Sequence, residues 1–189
     1  MKQILWAAAL LCASPLCAAD WEIDETASSL SFVSTKNVDV AESHRFTAVS
    51  GSLANDGRFV LNIDLKSLDT QIPIRNDRIH EHVFGGAEMA TVTGQVDLAV
   101  LADIGVGQSQ AVKLPAELNL LGVTTPLLAN VQISAEENRL TVNSTQPVLL
   151  NMRVLGLGNG IEKLREIAGL TSISMAVPAY FTITLRREP

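Results

Sequence analysis

The sequence predicts an all-β domain, an antiparallel sandwich or up-and-down barrel of about eight strands interrupted by two short helices. Three observations carry that expectation. Apolar and polar residues alternate along most of the chain, which is the mark of strands with one buried face. Short stretches containing Gly, Asn and Asp separate the alternating runs, and these suit tight turns. Helical spacing replaces the alternation in only two places. No fixed-period repeat, low-complexity tract or long linker appears, so residues 20–189 read as one domain.

Leu30 and Phe32 open the alternation, and His44, Phe46 and Ala48 continue it toward Leu53. Asn55-Asp56-Gly57 supplies a turn, since Gly accepts positive φ without steric cost. From Arg58 to Lys66 the pattern is cleanest, with Phe59, Leu61, Ile63 and Leu65 on one face. Pro73 then offers no N–H to a ladder and restrains Ile72 to extended geometry, which ends the strand. Asn76 or Asp77 is the expected cap of a short helix, with Ile79 and Val83 four apart on its apolar face.

Beyond this helix, Ala90, Val92, Val96, Leu98 and Val100 read as a strand, followed by a turn over 103–108. Val112, Leu114, Ala116, Leu118 and Leu120 form the next apolar face, and Gly122 to Pro126 is the expected turn. Leu127, Ala129, Val131 and Ile133 follow; Glu136-Glu137-Asn138 reverses the chain into Leu140 and Val142, a strand that can run on to Val148. The second helix is expected between Gly158 and Gly169. Ile161, Leu164 and Ala168 keep helical spacing, and Gly169 is placed as the C′ residue. Val177, Ala179, Phe181, Ile183 and Leu185 make the last strand.

The first residues have a different character. Lys2, the apolar run Ile4 to Leu11 and the Ala18-Ala19 junction read as a cleaved signal peptide over residues 1–19. That run is too short to span a bilayer, so no stable membrane insertion is expected. Both cysteines, Cys12 and Cys17, fall within it, and the mature protein would hold no disulfide. The residues around each cysteine do not form a lipoprotein signal. A net charge of −6 opposes non-specific binding to nucleic acid or to an anionic bilayer. The expected compartment is the periplasm.

Catalytic chemistry finds little support. No Gly-x-Ser-x-Gly elbow is present and no mature cysteine can act as nucleophile. Asp69 suits bonding to turn N–H groups, and Asp77 suits a helix cap. The histidines are His44, His80 and His82; without a His-Glu-x-x-His motif or cysteine pair they make no recognisable metal site. His44 shares a face with Phe46 and is either a polar group inside the domain or an ordinary hydrogen-bonded core histidine. Arg75 offers a planar fork of donors, for a ligand head or for Asp69.

Several segments, taken in order, resemble the YceI family of bacterial lipid-binding proteins. They are Trp21-Glu22-Ile23-Asp24, Ser43-His44-Arg45-Phe46, Ser50-Gly51, Ser67-Leu68-Asp69-Thr70, Ile74-Arg75-Asn76, Val83-Phe84 and the run from Asn119 to Pro126. The tail from Pro147 to Phe181 is similar to one subgroup. This resemblance implies an elongated lipocalin-like β-barrel around an apolar tunnel, and so decides between sandwich and barrel. It also implies a non-enzymatic protein that binds a polyisoprenoid, an isoprenoid quinone or a related lipid, with no other cofactor. Arg75 occupies the family's signature arginine position.

On that reading the expected ligand-binding residues are Phe32, His44, Phe46, Ile63, Asp69, Arg75, Val92, Val96, Leu118, Phe181 and Ile183. Few aromatic residues are available to plug a barrel, so the β-branched and leucine positions are expected to line a narrow channel. Two other readings stay open at this point: a metal-dependent or redox accessory protein using His44, His80 and His82, and a structural β-domain with a filled core. The sequence also leaves a homodimer open. N-terminal sequencing of the exported protein should return Asp20-Trp21 or a site within a few residues; Met1 retained in a membrane fraction would overturn the signal-peptide reading.

Overall fold

The computed structural model describes residues 21–187, and the expected signal segment lies outside them. In chain order the strands are β1 (Trp21–Ile23), β2 (Ser29–Lys36), β3 (Val40–Phe46), β4 (Val49–Leu53), β5 (Arg58–Asp64), β6 (Leu68–Asp69) and β7 (Met89–Gln95). Then come β8 (Ser109–Leu120), β9 (Val123–Glu136), β10 (Arg139–Ser144), β11 (Val148–Asn151) and β12 (Ala176–Arg187). The helices are α1 (Pro73–His82), α2 (Leu98–Asp103) and α3 (Gly158–Ile167).

All twelve strands belong to one sheet. Pairing runs through β1, β4, β5, β7, β8, β9, β10 and β12, and β12 returns to β1, closing an eight-stranded antiparallel barrel. The remaining strands extend the same staves. β1 and β2 both pair with β12 and are separated by a single 3-10 turn, Glu25–Ala27. Asp24 caps that turn, its carboxylate accepting from the Thr26 and Ala27 N–H groups at 3.1 and 3.2 Å. β3 and β4 line up against β2 and β1 in the same way. β6 prolongs β5 to meet β3, and β11 prolongs β10 along β12. The expected meander is therefore present, with four of its long staves kinked or interrupted midway.

Three local expectations are corrected. The first helix begins at Pro73, not after Asn76, with Ile72 at its N-cap and no side-chain cap bond. Proline is well suited to that first position because its missing N–H would have had no helical partner. Asn76 instead turns its Oδ1 back onto Thr70, accepting from the Thr70 N–H at 3.0 Å and its hydroxyl at 2.5 Å. Second, Leu98 and Val100 are not strand residues. Asp97 accepts from the Ala99 N–H at 2.9 Å and starts α2, and in so short an apolar run alternation does not separate strand from helix. Third, Pro126 lies inside β9 rather than in a turn, opposite Glu117 of β8. β10 pairs only with Val131 to Glu136 on the other side, so the missing proline N–H breaks no bond to it.

The helices cover the two ends. At one end, α2 follows β7 and sends Leu101 toward the interior, near the β4–β5 turn. At the other, α1 and α3 lie over the opening. Gly169 terminates α3 as expected: at φ 63° it donates to the Glu166 carbonyl, while Leu170 donates to that of Arg165 at 3.0 Å, the Schellman arrangement. The two lid helices touch closely where α1 ends and α3 begins. A Cβ on Gly160 would stand 2.2 Å from the His82 carbonyl oxygen and 2.7 Å from Val83 Cα. Both obstacles are backbone, so the helices would have to separate. Gly160→Ala should lower stability by about 1–3 kcal/mol, whereas Asn159→Ala, at an exposed neighbour, should change it little. Equal denaturation midpoints for the two variants would refute this contact.

Candidate functional site

The inward faces of the staves do not fill the barrel. They surround a cavity of about 620 Å³, within the range of small-molecule sites and far beyond the ~150 Å³ engineered void that stays dry and takes up benzene. Its walls are predominantly aliphatic, with Ile63, Leu118, Val142, Leu150 and Ile183 contributed by five different strands. Phe32, Phe46 and Phe84 form a short aromatic row, with ring centroids 5.7 and 6.3 Å apart along it. The row lies in the wall.

The mouth lies at the lid end. α1 and α3 meet near Gly160, and the start of α1 and the end of α3 leave a gap between them lined by Ile72, Ile74, Arg78, Ala168 and Leu170. Ile72 and Ile74 line the cavity yet are 44% and 56% exposed, which locates the opening to solvent.

Polarity falls stepwise from this mouth into the barrel along two neighbouring strands. Alternate cavity-lining residues on β2 are Lys36, Ser34, Phe32 and Leu30, with Ser31 also in the lining; on β3 they are Glu42, His44 and Phe46. The β2–β3 register sets Ser34 opposite Glu42 and Phe32 opposite His44. Glu42 accepts from Lys36 Nζ at 2.9 Å and from Arg75 Nη1 at 2.8 Å. The hydrogen bond from Lys36 and the nearby Arg75 charge hold its carboxyl below the usual range. Arg75 Nη2 donates to the Thr70 carbonyl at 2.5 Å. In the next layer His44 is only 5% exposed, with Nε2 2.9 Å from Ser34 Oγ and its ring edge against Phe32 at 5.3 Å. Burial, reinforced by the Arg75 charge, pushes its pKa below the ordinary histidine value.

Among the described residues only two buried side-chain nitrogen or oxygen atoms lack a hydrogen-bond partner: His44 Nδ1 and Arg75 Nε. Both residues line the cavity.

Of the residues read from the sequence as ligand-binding, Phe32, His44, Phe46, Ile63, Arg75, Val92, Val96, Leu118, Phe181 and Ile183 all line this cavity. Asp69 does not. It accepts from the Gln71 N–H at 2.8 Å, as expected of a turn residue, and from Arg45 Nη2 at 2.9 Å. The anticipated Asp69–Arg75 pair is thus replaced by two separate pairs, Asp69–Arg45 and Glu42–Arg75. Lys36 and Glu42 were not anticipated. Their signal was present in the β3 alternation, since stepping back two residues from His44 places Glu42 on the same inward face.

The histidines do not converge. His44 lies in the wall, His80 Nε2 is 3.1 Å from the Ala87 carbonyl oxygen, and His82 lies 3.9 Å from Glu81. Among the described residues no group of three or more His, Cys, Asp or Glu side chains could hold a metal ion, and no helix is long and apolar enough to cross a membrane.

Comparison with known proteins agrees with this architecture. The YceI-like domain family matches residues 21–185. The chain belongs to that family. This YceI-like domain is 36% identical to a polyisoprenoid-binding domain from Saccharophagus degradans implicated in plant cell wall breakdown, with a TM-score of 0.86. That match covers 90% of this chain and 100% of the other. BcnA of Burkholderia cenocepacia shares the fold at a TM-score of 0.66 and 18% identity, over 86% of this chain and 98% of its own. No curated protein matches the YceI-like chain.

The depressed pKa of His44 gives a pH window. The unfolded chain takes up this proton near the ordinary value of 6.5, before the folded protein does. The folded state is therefore fully favoured above that pH and loses stability as pH falls toward the lower folded value. Glu42 and Asp69, both held below their usual range, stay ionised there. The thermal midpoint should fall as the pH drops below about 6.5, and His44→Phe should flatten that slope. Parallel pH profiles would exclude a buried neutral His44.

Proposed function

We propose that this YceI-like protein is an exported, non-enzymatic carrier that holds one long apolar lipid, a polyisoprenoid or an isoprenoid quinone, in its barrel. The observation that carries this reading is the cavity of about 620 Å³, apolar in depth and open to solvent at one end. A packed structural β-domain would have no such space, because protein interiors close to nearly crystalline density. The relative from S. degradans, described as polyisoprenoid-binding, supports the ligand class, and the apolar N-terminal run with its Ala18-Ala19 junction supports export to the periplasm.

The mechanism requires no reaction. Each 100 Å² of apolar ligand surface that the barrel takes from water stabilises the complex by about 2.5 kcal/mol, offset by ordering the flexible chain. Branched aliphatic walls suit a branched isoprenoid chain, whose methyl groups pack between Val, Ile and Leu side chains. A chain with its tail near Leu101 and its polar end near Glu42 would meet the environment each end requires.

Mass spectrometry of lipids extracted from gently purified protein should find one apolar lipid per chain. Filling the space should then block uptake: Val92→Phe with Leu118→Phe, a cross-strand pair in the wall, should cut binding of a fluorescent isoprenoid analogue at least tenfold (about 1.4 kcal/mol) while leaving the thermal midpoint near that of the parent. In a packed core the same additions would destabilise by about 1–3 kcal/mol. A destabilised double variant, together with a parent that takes up no analogue, would return the chain to the structural-domain reading.

A further inference from the structure

The tip of the β2–β3 hairpin is built in a way that closing the barrel does not require. Asn37 and Val38 both take positive φ, 50° and 77°. Asparagine visits that region readily, but a β-branched valine is strained there and glycine is the usual occupant. The conformation is held from the loop that follows α3. Asn37 donates its N–H to the Ser172 carbonyl at 3.0 Å and accepts from the Thr171 N–H at 2.9 Å, and the Val38 N–H donates to Ser172 Oγ at 3.2 Å. Held this way, Val38 stands 85% exposed. Neither packing nor turn chemistry accounts for a valine kept in a strained backbone and presented to water, and such strain concentrates at functional sites.

Its position gives the feature a meaning. Val38 lies two residues beyond Lys36, which lines the cavity, and its anchor Ser172 lies two residues beyond Leu170 of the mouth. Val40, opposite Lys36 in the β2–β3 register, is exposed as well. With Ile72 and Ile74 at the start of α1, these side chains make an apolar rim continuous with the apolar cavity. Charge around the rim balances, Lys36, Arg75 and Arg78 standing against Asp39, Glu42 and Asp77. Acidic residues gather instead at the closed end, where Asp97 and Asp103 bound α2 and Glu136 and Glu137 lie at the β9–β10 turn. β9 alone has 14 residues between the two ends, at about 3.3 Å each. With the mouth against a charged surface, those acids therefore lie several screening lengths of about 8–10 Å away from it.

We infer that this rim docks mouth-first on a lipid bilayer, with Val38, Val40, Ile72 and Ile74 entering the interface, so that cargo passes between bilayer and cavity without crossing water. The inference rests on the lipid-carrier reading above and adds to it the surface where cargo is exchanged. A long apolar chain has almost no free concentration in water, so the partner that presents it at the mouth is the membrane that dissolves it. The balanced charge of the rim makes this the end least repelled by anionic headgroups in a chain of net charge −6. Docking is brief, because a few aliphatic side chains bury far less apolar surface than a lasting anchor needs. A carrier that must leave again loaded requires no more.

Transfer kinetics test it. Vesicles of phosphatidylethanolamine and phosphatidylglycerol in equal parts, carrying a fluorescent isoprenoid analogue and a quencher that cannot leave the bilayer, are mixed with the delipidated full-length mature protein. Uptake is followed as the rise in fluorescence. With docking, the initial rate should climb in proportion to protein concentration; a rate independent of it, set by escape of the analogue into water, would overturn the inference. Val38→Gly with Val40→Thr should slow transfer about tenfold while equilibrium binding of the analogue stays as in the parent. The thermal midpoint should also stay near the parent's, since glycine relieves the strain at φ 77° but loosens the unfolded chain. Val106→Ser, at a comparably exposed valine between α2 and β8 at the closed end, should transfer as the parent does. A double variant as fast as the parent, or equal slowing by Val106→Ser, would overturn docking by this rim. So would a double variant that is faster and has half the parent's mass in sedimentation, the mark of a second copy capping the mouth. If the parent takes up no analogue even at equilibrium, lipid carriage itself is overturned, and this inference with it.

Discussion

Backbone pairing of β12 with strands on both of its flanks is the constraint from which the rest of the molecule follows. β12 meets β10 and β11 on one side and β1 and β2 on the other, and without it the sheet would have two open edges. Closure has a geometric consequence. A flat sheet with one apolar face must bury it against another layer, but a closed one buries it against itself. The space enclosed then depends on strand number and on the side chains that point inward. Here those side chains are mainly Val, Leu and Ile from every stave, and the rings of Phe32 and Phe46 lie along the wall beside β2 and β3.

Broken staves adapt the closed frame to its ends. The 3-10 turn after β1 lets that stave change course without losing β12, since Asp24 and Ser28 satisfy the interrupted backbone: the Ser28 hydroxyl donates to the Asp24 carbonyl at 2.7 Å and accepts from the Thr184 N–H at 3.0 Å. At the other end the chain leaves β6, is fixed by the Thr70–Asn76 bonds, and enters α1 with Arg75 pointing back to Glu42. One arginine therefore ties the lid helix, the β6 turn and the β3 stave together at the mouth. The charges there are paired by the protein before any ligand arrives.

Strand periodicity made most of this architecture legible. Side chains on a strand must alternate between faces, so a run such as Phe59, Leu61, Ile63 and Leu65 declares its buried face without a structure. The same rule placed His44 beside Phe46 inside the barrel. What periodicity cannot convey is which neighbour a long charged side chain will choose. Arg75 and Asp69 are close in sequence, yet Asp69 turns to Arg45 across the β3–β6 pairing and Arg75 reaches over to Glu42. Those choices follow from register and from the angle of the lid. Short elements were equally opaque: α2 is barely longer than a strand step or two, and its start is set by one Asp97 hydrogen bond. The gap between the lid helices rests on a contact at Gly160, and nothing in the residue type alone announces a backbone so near.

The size of the interior bears on how the protein responds to compression. Voids that vanish on unfolding make the unfolded chain occupy less volume, so hydrostatic pressure favours unfolding in proportion to the empty space enclosed. An occupant of the roughly 620 Å³ interior sets close-packed chain against the apolar walls, so the bound and the free protein should differ in how pressure shifts their unfolding. Volume is then the coordinate along which a filled barrel and an unfilled one part most directly, because a chain packed against these walls would complete the core.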